Sequence, residues 1–445
     1  MSNKNIDNDR IVSHLYKNAE TIAQRVVIND PGKVSYSDKI DNIITSKIFG
    51  YPIMLGLLAL IFWITIEGAN TPSALLSTIF FSFQDILTDW FTAINAPVWL
   101  HGVLVLGLYR TVVWVISVML PPMAIFFPLF TILEDLGYLP RVAFNLDSLF
   151  RKAQACGKQS LTMCMGFGCN AAGVVSCRII DSPREKLIAV LTNNFVPCNG
   201  RFPTLIVIGT IFGAGMLAQG YRSFAVAGII TLLILVGVGT TFVVSWLLSK
   251  TFLKGETSSL ILELPPYRAP KIGSIIYRSI IDRTLFVLRR AIFVAAPAGI
   301  VTWILANYYV GDSSILAHTA NFLQPFAKIF GLDGYILMAF ILGLPANEIV
   351  LPILLMSYLS TGFMIEVESL LDLGNILIAN GWTWLTAINV MLFSILHWPC
   401  GTTLLTILKE TGSKKWTLLA FLIPTLTAFT VCFIVTQFVY FLGLS

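Results

Sequence analysis

Charge is scarce in this chain. Lysine, arginine, aspartate and glutamate make up 12% of its 445 residues, while 56% are hydrophobic. A typical soluble domain carries about twice that charge. Residues 68–97 contain no lysine or arginine, and residues 309–383 contain only Lys328. The alternating pattern of a barrel strand is also missing, because the apolar residues run continuously. That excludes a transmembrane β-barrel. Present instead are blocks of roughly 20 apolar residues, the length a helix needs to cross hydrocarbon. The expectation is an all-α, polytopic membrane protein with about seven or eight transmembrane helices.

Other absences narrow the reading. The polar opening "MSNKNIDNDRIVSHLYKNAE" has no apolar core for a cleavable signal, so the first span acts as its own insertion signal. None of the seven cysteines falls in a candidate outside loop, which argues against a disulfide scaffold. No G-x-x-x-x-G-K-[ST] phosphate loop occurs; "ACGKQS" lacks its first glycine, so no GTP site is expected in this chain. No nucleophile–base pair suggests an enzyme, and no nucleic-acid partner is expected.

Residues 1–47 are polar, with seven Lys/Arg and a weakly amphipathic stretch from Ile11 to Val27. Spans are expected at about 51–66, within 98–133, and at 186–216, 224–249, 291–308, 385–408 and 416–443. Within residues 68–97, the stretch Leu75–Ile94 reads as an amphipathic helix on the outer interface, bearing Asp85 and Asp89 on its polar side. Pro121-Pro122 is expected to interrupt the 98–133 block. Residues 250–290 hold eight Lys/Arg. The positive-inside rule then places the N-terminus, 141–158, 178–186, 250–290 and 409–415 in the cytoplasm. The resulting division is a cytoplasmic segment 1–47, a first membrane half 48–250, a basic linker 251–290 and a second membrane half 291–445.

Two apolar segments then cannot cross, because each has both flanks on one side. "MGFGCNAAGVVSC" (Met165–Cys177) has cytoplasmic flanks, and the block around "GLPANE" (343–348) has external ones. Both are expected to be re-entrant. "GFGCN" and "GLPAN" resemble each other, and each precedes a Pro-Cys pair, Pro197-Cys198 and Pro399-Cys400. Opposite sides of origin make this an inverted repeat, the architecture of a secondary transporter with a midplane site. Non-helical backbone at membrane depth survives only where protein buries it or a cavity wets it.

The chemistry at these breaks is distinctive. Cys169, Cys198 and Cys400 supply soft thiol ligands, suited to late or borderline divalent metals rather than Mg²⁺ or Ca²⁺. Asn170 and Asn347 add amide oxygens and Glu348 a carboxylate, which at membrane depth points to a pathway. His397 stands three residues before Cys400, either as a ligand or proton carrier or as a helix-packing residue. Such a mixed set fits Fe²⁺ or a neighbour such as Mn²⁺, Co²⁺ or Zn²⁺. Cys156, Cys164, Cys177 and Cys432 read as small buried residues.

From about Tyr36 to the C-terminus the chain resembles the ferrous-iron permease of the Feo system, FeoB. The resemblance rests on "SYSDKIDNIITSKIFGYPI", "LEDLGYLPRVAFNLD", "GFGCN", "SPREKLIAVLTNNFVPC", "LELPPYR", "NEIVLP" and "WPCGTTLLTILKETGSKKW", in family order. It implies two Gate regions similar to nucleoside-transporter cores. It maps the family's functional cysteines onto Cys169, Cys198 and Cys400, and its Gate glutamate onto Glu348. The chain departs from the family at Ala171-Ala172 (usually Val-Pro), Asn347 (often Lys) and His397 (usually aromatic). The resemblance further implies Fe²⁺ as the transported ion, a bacterial inner membrane, a cytoplasmic N-terminus and small Feo accessory proteins, with a homo-oligomer as a further candidate. The family's N-terminal GTPase domain has no counterpart in residues 1–47. GTPase activity is therefore expected from a separate subunit, lost by truncation, or unused. Two rival readings stay open: a carrier of an organic solute such as a nucleoside, and a non-transporting membrane scaffold or sensor.

Overall fold

The computed structural model describes residues 18–22, 26, 36–46, 48–213, 219–254, 267, 270–365, 367 and 369–443. Most of the Ile11–Val27 stretch and residues 255–266 of the basic linker lie outside the described residues. Long uninterrupted apolar runs leave the backbone one way to satisfy itself in hydrocarbon, the helix. Among the described residues the only sheet is a two-stranded hairpin, β1 (Tyr309–Val310) and β2 (Ser313–Ser314).

In chain order the helices are α1 (Tyr36–Ile44), α2 (Gly50–Ala93), α3 (Val98–Asp135), α4 (Tyr138–Lys152), α5 (Gln159–Gly168), α6 (Asn170–Ser176), α7 (Pro183–Thr192) and α8 (Phe202–Ile208). They continue as α9 (Gln219–Lys250), α10 (Ile272–Asn307), α11 (Ile315–Ile329), α12 (Gly334–Leu342), α13 (Val350–Leu359), α14 (Leu370–Ala379), α15 (Trp384–Leu396), α16 (Gly401–Thr411) and α17 (Lys414–Phe441). Seven helical stretches among the described residues are long and apolar enough to cross a membrane, or eight if the α11–α12 pair, bent by 110°, is one span. The chain is an all-α polytopic membrane protein, as its composition led us to expect.

Three expectations about boundaries need correction. The outer amphipathic helix is not separate: it continues the first span as one helix, Gly50–Ala93, with Pro72 inside. Its 44 residues extend for roughly 66 Å, about twice a hydrocarbon core. Pro121-Pro122 does not interrupt α3, which runs from Val98 to Asp135 and also contains Pro128. Proline removes one ladder bond, and a helix packed among neighbours tolerates the loss. The last part of the basic linker is likewise helical, since α10 begins at Ile272.

The helices sort into a centre and a shell. The most apolar window of the α15–α16 stretch is 83% buried, against 17–22% for α2, α9 and α17. The second half of the repeat therefore forms the middle of the bundle, and the long helices face outward. Two hairpins pack into that middle, α5 on α6 and α12 on α13. None of their four helices exceeds 10 residues, or about 15 Å, half a bilayer core. None of the four is long enough to cross alone.

The repeat also shows in the backbone. The turn residue of the first hairpin, Cys169, has φ −155° and ψ 126°. Its counterpart Ala346 has φ −154° and ψ 126°. The two Pro-Cys breaks match as well, with Cys198 at φ −80°, ψ 167° and Cys400 at φ −62°, ψ 159°.

Outside the apolar bundle, a polar clamp joins three distant stretches. Buried Arg141 on α4 donates from Nε and Nη2 to the two carboxylate oxygens of Asp41 on α1, at 2.9 and 3.0 Å. Its Nη1 donates to the Gly137 carbonyl at 2.7 Å. Tyr267 donates its hydroxyl to Asp41 Oδ1 at 2.7 Å, and its ring lies 4.1 Å from the guanidinium carbon. A fork-on-fork pair of this kind is among the strongest side-chain contacts. The Arg141 hydrogen bonds hold the Asp41 carboxyl below the usual aspartate range.

Asp41→Asn keeps the shape and removes the charge, stranding a buried guanidinium. It is expected to destabilise the detergent-solubilised protein by on the order of 3 kcal/mol, read as a lower Tm. Because the Asp41 pKa is lowered, its contribution is present above about pH 4 and is lost as pH falls through the folded-state value. The Tm gap between wild type and variant should therefore close on acidification.

Candidate metal pathway

Four interruptions of apolar helices meet at the centre. The first is Cys169 between α5 and α6, and the second runs from Asn193 to Arg201 between α7 and α8. The third, Gly343–Ala346, follows α12, and the fourth, His397–Cys400, separates α15 from α16. Close approach sets the sequence at two of them. A side chain at Gly168 would enter the Phe126 ring, and one at Gly200 would enter the Glu348 carboxylate.

The interruptions enclose a cavity of about 20 Å³. That is room for roughly one water molecule, or a cation stripped of most of its hydration. Six of the seven residues singled out from sequence line it: Cys169, Asn170, Cys198, Asn347, Glu348 and Cys400. The two halves interlock there. Asn347 Nδ2 of the second half lies 3.7 Å from Cys198 Sγ of the first, and the Glu348 carboxylate rests on Gly200. Cys400 Sγ is 3.2 Å from Thr403 Oγ1. Among the described residues, no three His, Cys, Asp or Glu side chains are drawn together as a metal-holding group. The donors share a chamber without forming a cage.

The seventh residue sits elsewhere. His397 does not line the cavity. It is buried among Phe340, Phe393 and Trp398, at ring separations of 4.9, 5.7 and 5.4 Å. Its Nδ1 lies 3.0 and 2.9 Å from the Phe393 and Ser394 carbonyls, so the ring closes the end of α15. Of the two roles open for His397, this placement matches helix packing. The other histidine near a helix junction, His101, bonds Thr88 Oγ1 at 3.0 Å and packs on Phe91, joining α3 to α2.

Sequence reasoning missed three contributors. Met119 and Met123, either side of Pro121-Pro122 on α3, also line the cavity and bring soft thioethers to it. The third is Arg201, fully buried at 1% exposure. Its Nη1 donates to the carbonyls of Asn194 (2.9 Å) and Ile395 (2.7 Å). Its Nη2 donates to Asn194 Oδ1 (3.1 Å) and reaches the His397 and Trp398 carbonyls (3.4 and 3.3 Å). Asn194 Nδ2 donates to the same His397 carbonyl at 2.5 Å, and the Asn170 and Asn194 amides are 3.1 Å apart. One guanidinium thus satisfies the carbonyls left over where α15 stops, and fastens them to the first half. It is within electrostatic reach of Cys198, Cys400 and Glu348 yet makes no direct ion pair with Glu348. The signal available was a lone arginine, "CNGRF", inside an apolar stretch.

A family model described as "Nucleoside recognition", the Gate model, matches residues 116–214 and 288–414. A second, "Ferrous iron transport protein B C terminus", matches 230–282. A protein of Staphylococcus aureus named Fe(2+) transporter FeoB is 31% identical over 435 residues, covering 96% of this chain and 63% of its own length. Proteins of the same name from Methanocaldococcus jannaschii (28% over 440 residues) and Synechocystis (27% over 432) cover 96% and 95% of this chain, and 62% and 66% of their own lengths. The chain thus spans less than two thirds of the Staphylococcus relative. No solved structure matches it. The chain belongs to the ferrous iron transport protein B family and carries that family's two Gate regions.

Proposed function

We propose that this protein is the permease part of a ferrous-iron uptake system. On this reading it moves Fe²⁺ into the cytoplasm of a bacterial cell through the chamber between its two Gates. The observation that carries the reading is the convergence of six donor residues, from both halves of a repeat, on one ion-sized cavity. Thiols and thioethers favour a soft or borderline ion, while the amides and carboxylate keep the site open to Fe²⁺. An incomplete ligand set suits transport, since the ion must leave again. The relatives' printed name, Fe(2+) transporter FeoB, supports the same cargo. The positive-inside rule orients the chain, and inward movement is the direction an uptake system implies. The chemistry on the page is binding and release; any GTP hydrolysis would come from a partner domain or subunit.

The rival organic-solute carrier fits less well. Pockets for such ligands run to several hundred Å³, against about 20 Å³ here.

Proteoliposomes bearing the protein, assayed with and without a GTPase domain from a relative, should accumulate ⁵⁵Fe²⁺. The Cys169→Ser/Cys198→Ser/Cys400→Ser variant should lower the initial rate at least tenfold. Undiminished uptake by that variant overturns the sulfur pathway, and no uptake under any condition overturns the transport reading.

Gly200→Ala offers a subtler check. The added methyl meets the Glu348 carboxylate before anything else and must push it aside. Binding of Co²⁺, read by thiolate-to-cobalt absorbance, should weaken roughly tenfold with little change in Tm.

A further inference from the structure

The first hairpin separates two spaces. Its turn, Cys169 and Asn170, faces the small chamber. Its next residues, Ala171 and Ala172, with Met165 on the facing helix, line a second cavity of about 630 Å³. That volume is in the range of small-molecule sites. The far wall is α10 and the end of α16. Apart from Glu134 at the end of α3, its charged residues belong to segments that the positive-inside rule assigns to the cytoplasm.

The charges in this cavity do not cancel. Arg178 forks onto Glu410 at 2.8 and 2.7 Å, and Arg283 reaches Glu134 at 3.2 Å. Lys158 is held by Asp181 at 2.5 Å. Arg290 and Lys409 remain without a carboxylate partner among the described residues, with Asp282 the one unpaired acid in the lining. They flank Phe286, at 4.1 and 5.8 Å from its ring centre, and Arg290 Nη1 donates to Thr406 Oγ1 at 2.7 Å. Beside them lie Phe130, Leu161 and Val287. Two cations placed around one aromatic ring in a shared cavity, one a planar fork and one a point charge, with apolar neighbours, suit a phosphate group.

We propose that this cavity is a binding site for a phosphate-bearing anion, held by Arg290 and Lys409 on the cytoplasmic face. An occupant there touches the back of the first hairpin and the end of α16 together. It therefore bridges the two Gates from the side opposite the chamber, and it offsets positive charge that opposes a cation passing Ala171 and Ala172. The site stands independently of which cation the chamber carries. Its phosphate could belong to a soluble polyphosphate or to a lipid headgroup.

The experiment is a titration of the purified full chain with inorganic pyrophosphate in detergent, read as Tm, beside KCl at matched ionic strength. A parallel arm compares nanodiscs of phosphatidylglycerol with nanodiscs of phosphatidylcholine. Saturable stabilisation by pyrophosphate, weakened at least tenfold in Lys409→Gln and in Arg290→Lys, supports the site with a soluble occupant. Stabilisation confined to phosphatidylglycerol and lost in the same variants supports it with a headgroup. Lys409 is exposed on the rim, so its variant tests charge without disturbing packing. Lys250→Gln, on Trp246 and away from the cavity, should behave as wild type. Equal shifts in every variant, shifts matched by KCl, or none anywhere overturn the proposal. Because each readout is binding, none depends on iron flux.

Discussion

A helix that ends inside hydrocarbon leaves carbonyls and amides that water cannot reach. The centre of this protein contains four such endings, and the rest of the structure follows from how they are satisfied. Arg201 does most of this for the carbonyl side. A guanidinium offers five donors in a fixed plane, and four carbonyls plus one amide oxygen surround it. Because the donors belong to one half and most acceptors to the other, satisfying the backbone and joining the Gates are the same act. The charge itself stays free of a direct carboxylate partner, leaving the lone pairs of Glu348 available to whatever enters the chamber.

The chamber is small because its walls are backbone. Gly200 lets the Glu348 carboxylate rest on the chain, and Gly168 lets Phe126 close the hairpin turn. Met119 and Met123 complete the lining from a helix that keeps going through two prolines. The long outer helices contribute little to the chamber directly. They are the shell that holds a nearly fully buried core stretch, Trp384–Thr411, in place.

Much of this was legible in the sequence. Seven spans could be counted from apolar length alone, and the breaks announced themselves as glycine, proline and asparagine where a helix should have continued. The donor residues were identified by type and position, Cys169, Cys198, Cys400 and Glu348 among them, and the structure draws them to one cavity. What failed was local. Pro121 and Pro122 suggested a helix end, but tertiary neighbours absorb the lost bond and the helix continues. His397 stood at a ligand's spacing from Cys400, yet Pro399 follows it and its ring turns into an aromatic cluster. Arg201 was overlooked although it falls inside the expected 186–216 span. Only the three-dimensional meeting of Asn194, Ile395 and Trp398 carbonyls reveals what it serves.

The two Gates share a backbone but not their charges. Where the second hairpin has Glu348 after its asparagine, the first has Ala171; where the first break has Arg201, the second has Thr403. In a perfectly inverted repeat, swapping the conformations of the two halves would turn an outward-open form into an inward-open one of equal energy. Here the acid belongs to one half and the base to the other, so the exchange does not restore the same arrangement. If the halves exchange conformations during transport, the two forms are therefore inequivalent, with a residue of opposite charge on each side of the exchange.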